Sequence, residues 1–311
     1  MILVTGGSGF VATHTIRQLI EQQRPVSALV RSERQMDKVR RLGATPVLGD
    51  VTDSKSLATA MAGVDKVIHL AAVNRDKGAV TMQSVNTQGT INLVDASRAA
   101  GVKQLVNVVG LGADARKPYP LAKTQGAGVD YLMQSGVPYT VLEASVIFGD
   151  GDEFINTLAG LARIPPFMVV PGNGRSKFQP IAVQDVAACA IKALELPGTI
   201  NQRLQICGSE ALTLEAIIDA ILMEMRLKRI KLHMPVSFLK VAVNLMNRLL
   251  PRAPITPSLL VQLGVDNVAT ENATESVFGL VPQRLVTGIS YVHNMTFDKL
   301  IKRSLNVTDY R

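Results

Sequence analysis

The first dozen residues constrain this chain more than any others. Ile2-Leu3-Val4 is a short apolar run, Thr5-Gly6-Gly7-Ser8-Gly9 breaks it with three glycines, and Phe10-Val11-Ala12 opens a stretch of helical periodicity. Such a strand, turn and helix can bring main chain very close to a bound group, because glycine carries no Cβ and tolerates the left-handed backbone that a sharp turn needs. The helix that starts there adds unbonded N–H groups and the positive end of its dipole. Two linked phosphates suit that environment, so Thr5, Gly6, Gly7, Ser8, Gly9, Phe10 and Val11 are candidates for holding the pyrophosphate of a nicotinamide dinucleotide.

The rest of the first half has the rhythm to which such a turn belongs. Short β-branched runs at 2–4, 26–30, 45–48, 66–70, 104–109 and 139–142 alternate with helical patterns near 10–23, 33–42, 53–61, 84–100 and 120–135. This alternation predicts an α/β fold, a Rossmann-type doubly wound parallel sheet with helices on both faces. Asp53 is placed to cap a helix, and Gly101 and Gly136 to end one. Beyond residue 150, glycines and prolines up to Gly174 interrupt the alternation, and helical patterns return at 184–195, 213–226, 236–249 and 257–263. The expected organisation is a dinucleotide-binding domain over 1–150 and a smaller, mostly helical substrate or partner lobe over 151–311, with segments near 176–210 returning to the sheet.

The end of the second predicted strand bears on which dinucleotide is held. Many such folds place an acid there to grip the ribose 2′-hydroxyl, whereas here Ala28-Leu29-Val30 runs into Arg31, with Arg34 close behind. A guanidinium suits a 2′-phosphate, so NADP(H) is favoured over NAD(H). Cys189 and Cys207 are the only cysteines, both in apolar segments, and give neither a disulfide framework nor a metal-ligand spacing. His14 and His69 have no carboxylate or cysteine partner that suggests a triad or a metal site, so no metal is expected. Uninterrupted apolar runs stay below the roughly 18 residues of a membrane span, and no basic leader precedes the first strand. A cytoplasmic protein is expected, at most peripheral to the inner face of a membrane.

Five segments, in order, resemble the extended and atypical short-chain dehydrogenase/reductases, the group that includes NAD-dependent epimerases and dehydratases. Thr5 to His14 resembles that family's opening turn, and Gly49-Asp50-Val51-Thr52-Asp53 the segment whose first Asp contacts the adenine. Val67-Ile68-His69-Leu70-Ala71-Ala72 resembles the fourth strand with small residues under the cofactor, and Val85-Asn86-Thr87-Gln88-Gly89-Thr90 the start of the next helix. Tyr119-Pro120-Leu121-Ala122-Lys123 resembles the Tyr-x-x-x-Lys pair. Further on, Ser145 to Asp152, Pro171 to Gly174, Phe178 to Ile181 and Val183 to Ala187 resemble the subgroup containing the nucleotide-binding accessory subunit of respiratory complex I and its bacterial relatives. The resemblance implies bound NADP(H), with Arg31, Asp50, Val51, Leu70, Ala71, Ala72, Asn86, Tyr119 and Lys123 joining the glycine turn around it.

What the cofactor does is left open by the same residues. Tyr119 and Lys123, one helical turn apart, either work as an acid/base pair on a carbonyl or alcohol, as in an oxidoreductase or epimerase/dehydratase, or persist as a cofactor clamp in a redox or accessory protein. One departure from the family pattern favours the clamp: Val109 falls where the family offers a serine to hold the substrate oxygen. In another, Glu143-Ala144 stands where the subgroup often has Arg-Pro, which inverts a charge on the presumed substrate side and argues against an anionic, nucleotide-sugar type of substrate.

One segment lies outside this scheme. From Arg226 to Arg252 there are seven Lys or Arg and no Asp or Glu, nearly the whole of the chain's net charge of +8. Within it, 236–249 has a wide apolar helical face that must be buried in the protein's own second lobe, against a partner protein, or in an anionic membrane surface. Little aromatic content and no binding motif argue against nucleic acid.

Overall fold

Ile2-Leu3-Val4-Thr5 is buried along its whole length, the pattern of a strand covered by helices on both faces. A computed structural model, which describes residues 1–249, 257–296, 298, 299 and 302, places it at the middle of a parallel sheet. The strands are β1 Ile2–Thr5, β2 Val26–Val30, β3 Thr45–Leu48, β4 Lys66–His69, β5 Gln104–Gly110 and β6 Tyr139–Ala144. They continue with β7 Ile147–Phe148, β8 Phe167–Pro171, β9 Lys177–Phe178, β10 Ile181–Ala182, β11 Gln202–Ile206, β12 Leu212–Thr213 and β13 Ile230–Met234. The main helices are α1 Phe10–Glu21, α2 Glu33–Arg41, α3 Ser54–Ala60, α4 Thr90–Ala99, α5 Pro120–Gln134 and α6 Phe154–Ala162. After them come α7 Val183–Ala193, α8 Leu214–Glu224, α9 Val236–Leu249 and α10 Pro257–Gln262.

Seven strands form the main sheet in the order β11-β6-β5-β4-β1-β2-β3, every neighbouring pair parallel. This is the doubly wound α/β sheet that the alternation implies. The chain winds outward from β1 through β2 and β3, then returns to β4 on the other side, so the turn leaving β1 opens at the point where the winding reverses. Ligands of such sheets bind at the carboxyl ends of the strands there. The six strands legible in the sequence are all present. The seventh, Gln202–Ile206, is an edge strand with exposed and polar residues, so it lacks the apolar run that marks the others.

Local signals account for several boundaries. The Asp53 carboxylate accepts the Lys55 N–H at 3.0 Å and caps α3. Gly101 and Gly136 follow α4 and α5 with φ of 67° and 78°, where a side chain is strained. The helical pattern from 84 to 100 is two elements, a π-helical turn at Gln83–Gly89 leading into α4.

Two compact units divide the chain. The first comprises Met1–Ala144, Val183–Ile206 and Glu271–Leu280 and contains the main sheet, with Leu3, Leu57, Leu93, Leu105 and Leu132 in its core. The second comprises Ser145–Ala182, Cys207–Thr270 and Val281–Arg311. Its core gathers Phe148, Ile155, Met168, Ile217 and Ile221, and three two-stranded pairs, β10–β7, β12–β9 and β13–β8, brace its helices. Cys189 and Cys207 are buried, and burial pushes the Cys189 thiol up to about 12, which leaves it inert at neutral pH.

Candidate functional site

The glycine turn has the geometry its composition suggests. Gly6 has φ of 66°, and a Cβ there would lie 2.9 Å from Ala71 Cα, so only glycine fits. A Cβ at Gly7 would meet that of Ala28 at 2.7 Å. The Gly7 N–H donates to the Leu29 carbonyl at 3.0 Å and the Gly9 N–H to the Gly6 carbonyl at 2.7 Å, which curls the segment tightly. Gly9 is the N-cap of α1, and no side chain caps the helix. The N–H groups of the first turn of α1 are therefore left for an external acceptor, and an anion supplies one.

A chain of buried hydrogen bonds ties this turn to the other site segments. Thr5 Oγ1 accepts the N–H groups of Leu70 and Ala71 at 3.2 and 3.3 Å and lies 2.7 Å from His69 Nδ1. His69 Nε2 is 3.1 Å from Thr90 Oγ1, whose own proton goes to the Asn86 carbonyl at 2.7 Å. Thr90 can therefore only accept from the imidazole, so Nε2 carries the proton and Nδ1 accepts from the Thr5 hydroxyl. Burial holds the ring neutral, with its pKa lowered to about 4. Asn86 Oδ1 accepts the Val73 N–H at 2.8 Å, while its Nδ2 donates to the Val73 carbonyl at 2.9 Å and to Thr124 Oγ1 at 3.3 Å. Both amide protons of Asn86 are spent on the protein, so its place is as a clamp on the loop after β4. Thr124 in turn donates to the Pro120 carbonyl at 2.8 Å, at the start of α5. The turn at 5–11, the loop at 70–72, Asn86 and the first turn of α5 are thus brought together by one network.

Arg31 is exposed between β2 and α2. Sequence reasoning missed its neighbour Lys38, whose Nζ donates to the Ser8 carbonyl at 2.9 Å and so fixes a cation beside the glycine turn. Its signal was spacing, since Arg34 and Lys38 stand four apart on α2 and share a face. Asp50 follows β3, and its Oδ1 accepts the N–H and the hydroxyl of Thr52, both at 2.9 Å. Val51 is buried, and a Cβ on Gly89 would lie 2.7 Å from its Cγ2. Asp50 and Val51 are therefore anchored at the β3 end.

Tyr119 is the N-cap of α5 and Pro120 its first residue, where a missing N–H costs nothing. The Lys123 N–H donates to the Tyr119 carbonyl at 2.9 Å, which sets the two side chains one turn apart, Tyr119 partly buried and Lys123 exposed. The loop between β5 and α5 presses on this helix. A Cβ on Gly126 would lie 2.3 Å from the Ala115 nitrogen, and the Gly110 N–H donates to Gln125 Oε1 at 3.0 Å. Val109 is buried near the end of β5, and from Val108 to Pro118 the chain has no serine or threonine. The charge inversion expected from Glu143 does not reach a substrate side. Glu143 is buried within β6 and pairs at 2.5 Å with Arg203 of β11, which also donates to the Ala113 carbonyl. Its charge is neutralised inside the sheet.

A family model described as NAD(P)H-binding matches residues 6–197, which include the constellation apart from Thr5 and Arg203. The chain belongs to that NAD(P)H-binding family. Among curated relatives, it is 28% identical over 213 residues to an NAD(P)H azoreductase of Xenophilus azovorans, covering 68% of this chain and 70% of that protein. It is 31% identical to the photosystem II assembly factor Ycf39 of Synechocystis, covering 68% of this chain and 63% of the relative. It is also 28% identical to subunit 9 of the NADH dehydrogenase 1 alpha subcomplex of Dictyostelium discoideum, covering 75% and 66%. The chain thus spans slightly less than two thirds of the last two. Among solved structures, an NADPH-dependent quinone oxidoreductase of Escherichia coli in complex with NADPH has a TM-score of 0.73 at 20% identity, over 94% of this chain and 99% of that one. A UDP-glucose 4-epimerase of Thermotoga maritima has a TM-score of 0.72 at 18% identity, over 96% and 99%. The fold of the NAD(P)H-binding chain is that of the epimerase/dehydratase-like short-chain dehydrogenase/reductases.

Proposed function

We propose that this protein holds NADP(H) in preference to NAD(H) as a retained cofactor, and serves as a redox or accessory and assembly factor of a respiratory-type complex. In this role Thr5 to Val11 cradle the pyrophosphate, Leu70, Ala71 and Ala72 floor the cofactor, and Asp50 and Val51 border the adenine. Arg31 faces the 2′-phosphate, with Lys38 fixed nearby on the Ser8 carbonyl. Lys123 and Tyr119 border the nicotinamide ribose. The observation that carries the accessory role is Val109, which offers no hydrogen bond to a substrate oxygen, in a stretch from 108 to 118 without a hydroxyl side chain to replace it. Loss of such a donor costs on the order of 10²–10³ in rate. An assembly factor and a respiratory-complex subunit among the relatives agree with it.

Mass spectrometry of nucleotide released from purified protein should find NADP(H), and NADPH oxidation with a panel of carbonyls and quinones should stay at background. Substrate-dependent loss of NADPH absorbance that Tyr119→Phe abolishes would overturn the accessory role. It would establish the second reading, an active NAD(P)-dependent oxidoreductase or epimerase/dehydratase. That reading is favoured by the one-turn spacing of Tyr119 and Lys123 and by the azoreductase among the relatives. In it Tyr119 is the acid/base, with Lys123 one helical turn away.

A further inference from the structure

The second unit carries apolar surface that the described residues leave exposed. On α9, Val236, Leu239, Val243 and Met246 recur at helical spacing and turn inward, Val243 fully buried. A second stripe, Phe238, Val241, Leu245 and Leu249, lies on the outside, with Val241 71% and Leu249 72% exposed. A helix needs only one apolar stripe to pack on a core, so the outer stripe has no structural use within the described residues. The sheet of β8 and β13, which ends just before α9, repeats the feature. Phe167 pairs in register with Ile230 and Val169 with Leu232, and all four are exposed on one face.

The charge around this surface decides what covers it. Arg226, Lys228, Lys240 and Arg248 are exposed, and no acidic residue lies between Arg226 and Leu249. Among the described residues, Lys231 is the one Lys or Arg of the stretch paired with carboxylates, Glu215 at 2.7 Å and Asp219 at 3.0 Å. On α9 the polar row Lys240, Asn244, Arg248 runs beside the outer stripe, about a quarter turn away. Of the residue types enriched in protein hot spots, Trp, Tyr and Arg, the segment 226–249 has only arginines, Arg226, Arg229 and Arg248. A short helix with aliphatic and Phe side chains on one strip and cations along its edge matches an anionic bilayer surface, apolar groups entering the acyl boundary and cations meeting headgroup phosphates. At 14 residues, about 21 Å, α9 lies on such a surface rather than through it, and no described helix is long and apolar enough to cross.

We infer that α9 docks the protein in-plane on an anionic lipid bilayer, through Phe238, Val241, Leu245 and Leu249, with Lys240 and Arg248 selecting negative headgroups. Flotation of the full-length protein with vesicles of phosphatidylglycerol and phosphatidylcholine, against vesicles of phosphatidylcholine alone, tests it. The protein should float with the anionic vesicles at low salt, and its binding should fall roughly tenfold or more in high salt. The double variants Phe238→Ser with Leu245→Ser, and Lys240→Glu with Arg248→Glu, should each lower binding at least as far. Both sites face outward, so circular dichroism and thermal midpoint should match the wild type. Equal flotation with neutral vesicles, or full binding by folded variants, would overturn the proposal. So would absence from both vesicle types with a dimer, or a stable complex with another protein, that the Phe238→Ser and Leu245→Ser changes break.

Discussion

At the residue scale, His69 shows how the site is held without touching a ligand. Its two nitrogens have fixed roles, Nε2 donating to Thr90 and Nδ1 accepting from Thr5, and a protonated ring would leave two donors facing groups that need one. Its pKa falls from 6.5 to about 4 on folding, so the unfolded chain binds the proton first. The stability this group contributes is complete above pH 6.5 and declines as pH falls toward 4, by about 3 kcal/mol in all. Denaturant unfolding across that range should show the decline, and His69→Gln should flatten it. Gly6→Ala should destabilise the protein by about 1–2 kcal/mol or more and abolish nucleotide binding, because a left-handed alanine is strained and its Cβ meets Ala71 at 2.9 Å. The geometry of the glycine turn was legible in the sequence because it is local. Thr90, Lys38 and the Glu143–Arg203 pair were not, since each depends on which elements become neighbours.

At the element scale, the segment that carries Tyr119 and Lys123 is positioned by packing on its far side. Gly126 lets the loop after β5 touch α5, and the Thr124 hydroxyl ties the same helix to Asn86. Gly126→Ala would place a methyl group 2.3 Å from the Ala115 nitrogen, so loop or helix must move. A loss of about 2–3 kcal/mol in thermal unfolding is expected, with weaker nucleotide binding than the intact turn alone would give. Unchanged stability would mean that the loop yields freely. Elements were readable where burial leaves a continuous apolar run, as in β1, β2 and β6. β11 and β13 escaped because edge position and outward-facing residues mix polar and apolar types, and the π-helical turn before α4 has no periodic signature that separates it from an α-helix.

At the scale of the molecule, each unit has its own core, and every residue assigned to the cofactor lies in the first. Nucleotide binding should stabilise the folded protein through mass action, by about 2.7 kcal/mol at a concentration 100 times its Kd, a shift that thermal denaturation with and without NADPH reads directly. The second unit carries the cationic stretch and the exposed apolar faces. Calorimetric titration of NADPH and NADH into wild-type protein and Gly6→Ala bears most directly on the central claim, that the glycine turn holds a nicotinamide dinucleotide with its 2′-phosphate toward Arg31. Saturable binding of NADPH at least about tenfold tighter than NADH, with both lost in Gly6→Ala, is the expected result. No saturable heat from either nucleotide, or binding that Gly6→Ala leaves intact, would contradict it.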